Sequence, residues 1–110
     1  MNEINIILEL NNKENPYFYK GIATIKDGVI RYKDEDSNVL VDIERNILIK
    51  KDKEKIVKID LNNNIMKIKL DTIELNSSIE VLEIKKENNI FESTYKIDSN
   101  EIKLSIKIEY

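Results

Sequence analysis

The chain has 110 residues, a net charge of −3 and 41% hydrophobic residues, which fits one globular domain and excludes a disordered, fibrous or strongly polyionic chain. It contains no His and no Cys, which excludes disulfides, zinc sites with His or Cys ligands, and nucleophilic catalysis by a Cys or by a Ser–His–Asp triad. Isoleucine supplies 21 residues and alanine one, so the composition favours strands over helices.

The N-terminal residues Met1–Ile4 show neither the basic start nor the apolar run of a signal peptide. Uninterrupted apolar stretches reach three residues, for instance Ile6–Leu8, which is too short to cross a membrane. We therefore expect a cytoplasmic protein without membrane insertion.

The first clear hairpin turns at Asp27-Gly28, a dipeptide typical of two-residue turns. This turn sets Ile25 opposite Ile30 and Ala23 opposite Tyr32, so that all four side chains lie on one face. The next hairpin is predicted to have a three-residue loop, Glu44–Asn46. That loop pairs Val41 with Ile49, whereas a two-residue turn would pair Val41 with Lys50.

Clusters of Asn, Asp and Ser predict further turns, because these side chains hydrogen-bond their own backbone and tolerate left-handed conformations. They lie at 34–38, 51–55, 62–64, 76–78, 88–89 and 98–100. Between 65 and 75 the alternation changes phase, which predicts a bulge or sharp bend near Asp71-Thr72. Residues 79–87 come nearest to a helix, but a strand with one bulge fits them equally well and agrees better with the neighbouring register.

The C-terminal segment alternates strictly, since apolar side chains occupy every even position from Ile102 to Tyr110. A turn at Ser99-Asn100 pairs Tyr95 with Leu104 and Ser93 with Ile106. A turn at Asn88-Asn89 then places Leu82 beside Tyr95 and Ile84 beside Ser93. The last three strands are therefore predicted to form a meander.

Together these elements predict an all-β chain in which residues 1–110 form a single antiparallel, mostly up-and-down β-barrel of about eight to ten strands. Closure is expected because a long meander with open edges invites aggregation.

Three segments resemble the YwiB-like proteins, a bacterial domain of unknown function. Gly21–Glu35 is similar to the first hairpin of that family, Val39–Leu61 to the next two, and Phe91–Tyr110 to its closing strands. One departure is Leu70–Ile73, where the family usually has a turn with Pro and Gly. The resemblance implies a lipocalin-like, calycin-type barrel and carries no established activity.

A lipocalin-like barrel predicts a small apolar or amphipathic ligand inside, although an eight-stranded barrel can also be filled by its own side chains. Small residues on the inward face could leave space among larger ones. The candidate ligand-binding residues are Gly21, Ala23, Tyr32, Phe91, Ser93 and Tyr95. A protein partner is the other interpretation of the same non-enzymatic barrel, and the sequence leaves the oligomeric state open.

The alternative function is nucleic-acid binding, with stacking on Tyr17, Phe18 and Tyr19 and phosphate contacts from the Lys50–Lys55 loop. A sequence pI near 5.1 disfavours a polyanionic partner. No metal site or cofactor is predicted: Asp34–Asn38 begins like a calcium loop but lacks the later Gly and Glu. An enzyme that uses Asp, Glu, Lys or Tyr remains open.

Overall fold

A computed structural model describes residues 2–13 and 16–109 of the chain. Tyr110, the last member of the predicted alternation, lies outside the described residues. The described chain forms ten strands: β1 (Asn2–Asn11), β2 (Tyr17–Lys26), β3 (Val29–Asp34), β4 (Ser37–Asp42), β5 (Ile47–Lys51), β6 (Lys55–Asp60), β7 (Ile65–Leu70), β8 (Ile73–Glu87), β9 (Ile90–Ile97) and β10 (Asn100–Glu109).

Each strand pairs antiparallel with its neighbours in sequence, and β1 also pairs with β10, which closes the barrel. The predicted all-β, up-and-down barrel is therefore confirmed. Residues 79–87 belong to strand β8 and do not form a helix. No helix in the described part of the chain is long and apolar enough to cross a membrane.

Alternation determines which side chains fill the barrel. In β10 the side chains of Ile102, Leu104, Ile106 and Ile108 are all buried, while their neighbours in the chain face outward. Strand β1, which pairs with β10, contributes the adjacent row, and β2, β3, β4, β6, β8 and β9 add their own buried residues to the same cluster.

Seven of the hairpin turns contain a non-Gly residue with positive φ, and six of these seven are Asn or Asp. Short polar side chains tolerate this left-handed conformation better than other residues. The two predicted turns at Asp27-Gly28 and Asn88-Asn89 are confirmed, and Ile25 faces Ile30 as expected.

Three predicted turns are wrong, those at 44–46, 99–100 and 76–78. The 44–46 loop has four residues, because Asp42 pairs with Ile47, and Val41 therefore faces Leu48. The Asp42 carboxylate accepts the Arg45 backbone N–H at 3.0 Å, which starts the turn one residue early.

The last turn consists of Asp98 and Ser99 because Asp98 takes the left-handed conformation. Tyr95 consequently faces Ile102, and Ser93 faces Leu104. The error is two residues, so every side chain keeps its predicted face.

Strand β8 differs most from expectation. The predicted turn at 76–78 is wrong: these residues continue β8 and pair with β7, and the turn lies at Asp71-Thr72 instead. Ile84 faces Ser93 as predicted, but a bulge at Leu82 places Val81, and not Leu82, opposite Tyr95.

Three backbone hydrogen bonds recur at intervals of 18 residues. The N–H of Ile43 donates to the carbonyl of Gly28, that of Leu61 to Asn46 and that of Ile79 to Asn64, each at 3.0 Å. Residues 25–42, 43–60 and 61–78 thus form three similar two-strand units, a repeat that the sequence analysis missed. The sequence signal of this repeat is an Asp, Asn or Gly at turn positions 18 residues apart, as at Gly28, Asn46 and Asn64.

Candidate ligand-binding cleft at one end of the barrel

A cavity of about 180 Å³ opens at the end of the barrel where β1 leads into β2. We call it the end cleft. Its walls are mainly apolar and come from five strands and the β1–β2 loop. They comprise Leu8, Leu10, Pro16, Tyr17, Tyr32, Val39, Leu48 and Lys50.

The end cleft exists because the inward-pointing side chains of these strands end at different levels along the barrel axis. Leu8 and Val39 are buried in the core, whereas Leu10, Leu48 and Lys50 are half-buried at the rim. Each residue occupies an inward position of its strand, so alternation aims all of them at the barrel axis. The cleft is therefore an extension of the core that remains partly open to solvent.

A chain of hydrogen bonds forms the polar side of the end cleft. The Tyr17 hydroxyl donates to Asp34 Oδ2 at 2.8 Å, and 3.2 Å separates it from the Tyr32 hydroxyl. Because a phenol has one proton, and Tyr17 gives its proton to Asp34, Tyr32 is the donor to Tyr17. Both phenols thus have lone pairs left but no free donor.

Lys50 is the cation of the end cleft. Its Nζ lies 4.3 Å from the centroid of the Tyr17 ring, within the range of a cation–π contact. The ammonium group supplies the hydrogen-bond donors that the two phenols lack.

The ring of Tyr19 packs against the ring of Tyr32. The two rings stack with centroids 3.9 Å apart and planes inclined by 14°. The Tyr19 hydroxyl donates to the Ile22 carbonyl at 2.8 Å, and its ring folds over Gly21. A β-carbon at position 21 would come within 2.8 Å of the Tyr19 hydroxyl oxygen, so Gly21 gives this ring its place.

Burial raises the pKa of both phenols of the end cleft above the ordinary value of tyrosine. Desolvation raises the pKa of Tyr17 to about 12, since the hydrogen bond from Tyr32 only partly opposes the effects of burial and of nearby Asp34. Desolvation together with the bond to Tyr17 raises the pKa of Tyr32 further. Neither phenol is an effective base near neutral pH, so the arrangement is suited to hydrogen bonding rather than proton transfer.

The six predicted ligand-binding residues do not line one common cavity. Tyr32 lines the end cleft, while Phe91 and Tyr95 border an internal void of about 10 Å³. That void has room for about one water molecule. Ala23 and Ser93 are buried in the core, and Gly21 lies against the Tyr19 ring. The assignment of these residues to a ligand site stays a prediction, with Tyr32 as its link to the end cleft.

The rings proposed for nucleic-acid binding lie on two faces of β2. Tyr17 and Tyr19 point inward, while Phe18 is 59% exposed on the outside. Lys50 belongs to the end cleft, and the rest of the Lys50–Lys55 loop forms a separate charged depression beside Lys69. Acidic Asp52 and Glu54 alternate with the lysines of this depression, and the aromatic rings do not share a surface with these lysines. Nucleic-acid binding stays a prediction.

Among the described residues, no group of three or more Asp or Glu side chains could hold a metal ion, and the chain has no His or Cys. Glu80 and Glu83, which sequence alone cannot assign as a catalytic pair, are both exposed on β8.

Apart from Tyr32, sequence reasoning missed the residues that line the cleft, and it singled out Tyr17 and Lys50 only for nucleic-acid binding. Alternation places Leu8 and Leu10 inward but cannot distinguish the core from its open end. That distinction depends on how far each strand extends, which the turn errors above obscure. The predicted 44–46 loop is one residue too short, so it turns Leu48 and Lys50 to the outer face, whereas the structure has them inward.

Comparisons with protein-family models, with curated proteins and with solved structures find no match to this chain. The resemblance to the YwiB-like proteins and the lipocalin label therefore stay predictions.

Proposed function

We propose that the protein binds a small amphipathic molecule in the end cleft and is not an enzyme. The observation that supports this proposal is the apolar cavity of about 180 Å³ with two neutral phenols and one ammonium at its rim. A closed apolar cavity of about 150 Å³ is enough to hold benzene. The end cleft therefore fits an apolar body of about six to eight carbon atoms.

The polar rim indicates which head group such a molecule carries. Lys50 offers donors, and the phenols of Tyr17 and Tyr32 offer lone pairs. A carboxylate satisfies Lys50, and a hydroxyl can bond to both kinds of group. An ammonium head group would meet Lys50 and be repelled, whereas the Asp34 carboxylate lies behind Tyr17 and does not line the cleft. The ligand class is therefore a small aromatic or aliphatic alcohol or acid.

Toluene, benzyl alcohol and benzoate test the proposal, because they share one ring and differ in the head group. Titration of isotope-labelled protein, followed by NMR shifts of cleft residues, should give dissociation constants of about 0.1–10 mM for molecules of this size. Benzyl alcohol and benzoate should bind more tightly than toluene.

Two matched variants locate the binding. Leu10→Trp fills the mouth of the cleft and should weaken all three probes at least tenfold. Ile22→Trp places the same ring on the exposed outer face of β2 and should leave binding within twofold of the parent. If no probe binds at 10 mM, or if Leu10→Trp binds as the parent does, the proposal is wrong.

Lys50→Met tests the head group separately. It keeps the length of the side chain and removes the charge, so the advantage of benzoate over toluene should disappear while toluene binding persists.

A bacterial source and a cytoplasmic location stay predictions from the sequence.

A further inference from the structure

Strand β8 is paired along only half of each edge. Residues 73–78 pair with β7, and residues 79–87 pair with β9 on the opposite side. The β7 ladder ends at Ser78, so among the described residues the backbone of 80–87 has no strand on its β7 side. This segment is a sheet edge of eight residues. Among the described residues two other segments also have one edge without a strand, 73–78 on the β9 side of β8 and 17–23 on the β3 side of β2.

Exposed apolar side chains concentrate on the same strand. Among the described residues, four of the seven large hydrophobic residues with high exposure lie on β8, and a fifth, Ile90, follows at the start of β9. Leu82 and Ile84 belong to the open edge. Ile84 faces buried Ser93, so its side chain lies on the inner face of the sheet at a point where no further strand covers it.

The charges on this edge alternate in sign around Ile84. Glu83 and Lys85 flank it on the outer face, where their partners on β9 are Thr94 and Glu92. A row of charges normally discourages a strand edge from pairing with arbitrary strands. A copy of the same edge is different, because reversal of direction brings the Glu of one copy to the Lys of the other.

Of the three registers centred on Glu83, Ile84 and Lys85, the one centred on Ile84 is favourable. Directly opposed side chains point to the same face, so a residue can oppose itself or one an even number of positions away. Centring on Glu83 opposes two Glu83 carboxylates, and centring on Lys85 opposes two ammonium groups and Glu83 with Glu87. Centring on Ile84 opposes Ile84 with itself and forms two symmetric Glu83–Lys85 pairs.

We propose that two copies of the protein associate through the open edge of β8, antiparallel and with the twofold axis at Ile84. The two barrel walls become one continuous sheet across this axis. The bulge at Leu82 limits undistorted pairing to a short segment, so the dimer forms at high protein concentration, with a dissociation constant of about 10–500 µM.

Charge reversal tests the register. Glu83→Lys opposes lysines at both symmetric positions, and Lys85→Glu opposes carboxylates. Each single variant should weaken the dimer at least fivefold, measured by analytical ultracentrifugation over a concentration series. The double variant Glu83→Lys/Lys85→Glu exchanges the partners and should restore the parent value within twofold. A parent that is monomeric at 1 mM, or a double variant no better than the singles, overturns the proposal.

Cysteine cross-linking tests the axis, since the chain has no cysteine of its own. Ile84→Cys brings two thiols together at the twofold, where opposed α-carbons are about 4.5–5.5 Å apart and a disulfide can form. Leu75→Cys, an exposed position on the other half-edge of β8, is the matched control and should stay monomeric under the same oxidation. Cross-linking at 75 and not at 84 would place the interface elsewhere and refute this one.

Discussion

The wall built from β1, β9 and β10 contrasts with strand β8, although apolar side chains occupy most of the inward positions in both. In the wall every inward side chain of β10 from Ile102 to Ile108 is buried. Strand β8 has 15 residues, of which one, Ile79, is buried. The same pattern in the sequence therefore leads to a core in one region and to an exposed surface in the other.

The difference comes from what lies opposite each strand. The wall strands pair along nearly their whole length, so the inner face of each is covered by residues across the barrel. Strand β8 steps from β7 to β9 at Ile79, and its two halves extend beyond their neighbours. Alternation thus decides which way a side chain points, and the stagger of the strands decides whether anything covers it.

The same truncation in the two regions should give the largest contrast. Leu104 in the wall is 2% exposed, and Leu75 on β8 is 51% exposed. Leu104→Ala should lower the free energy of unfolding by about 2–5 kcal/mol, because it removes a buried side chain and leaves a cavity. Leu75→Ala should lower it by less than about 0.5 kcal/mol. Urea denaturation measures both values, and similar losses would show that β8 is packed as tightly as the wall.

The turn between β6 and β7, one strand before β8, depends on Asp60. Its carboxylate accepts the side-chain amide of Asn63 at 2.8 Å and the backbone N–H groups of Asn62 and Asn63 at 3.1 Å. Asp60→Ala should cost about 1–2 kcal/mol at pH 7, since it removes hydrogen bonds to a charged acceptor. Asp36→Ala, in the exposed β3–β4 turn, is the control and should change stability by less than about 0.5 kcal/mol.

The pH dependence of that loss follows from the same contacts. Burial alone would raise the pKa of Asp60, but the hydrogen bonds from Asn63 and Asn62 outweigh it and hold the pKa below its usual value. A lowered native pKa means that the unfolded state binds the proton first, so this stabilisation is present above about pH 4 and is lost as the pH falls through the native pKa. The difference between the parent and Asp60→Ala should therefore shrink below about pH 4. A difference that grows on acidification would contradict this role.

The sequence predicts the fold well where turns are short and their residues unambiguous. Asp27-Gly28 and Asn88-Asn89 each determine a hairpin, because two residues that tolerate positive φ leave little choice of register. The loop predicted at 44–46 is one residue too short, because contacts of the Asp42 side chain extend the turn to 43–46. At 76–78 composition was misleading: Asn and Ser are turn-formers, yet β7 had already turned at Asp71, and these residues pair with it.

The end cleft could not be predicted from the sequence to the same degree. Tyr17, Tyr32 and Lys50 are separated by 15 and 18 residues and lie on three strands, so no local motif joins them. Their proximity depends on the cumulative register of the three hairpins that join β2 to β5. An error of one residue in any of these moves an inward side chain to the outer face.

The smallest expected effect, and the one of opposite sign, concerns two serines that share the inward-facing pattern. Ser93 in the wall is 1% exposed and its hydroxyl has no hydrogen-bond partner among the described residues, while Ser77 on β8 is exposed. A buried hydroxyl without a partner costs about 1–3 kcal/mol of desolvation. Ser93→Ala should therefore stabilise the protein by about 1 kcal/mol, and Ser77→Ala should leave it unchanged within about 0.5 kcal/mol. Thermal unfolding of the two variants beside the parent measures this difference. A destabilised Ser93→Ala would show that the hydroxyl is satisfied in solution, and that the wall is more polar inside than its packing indicates.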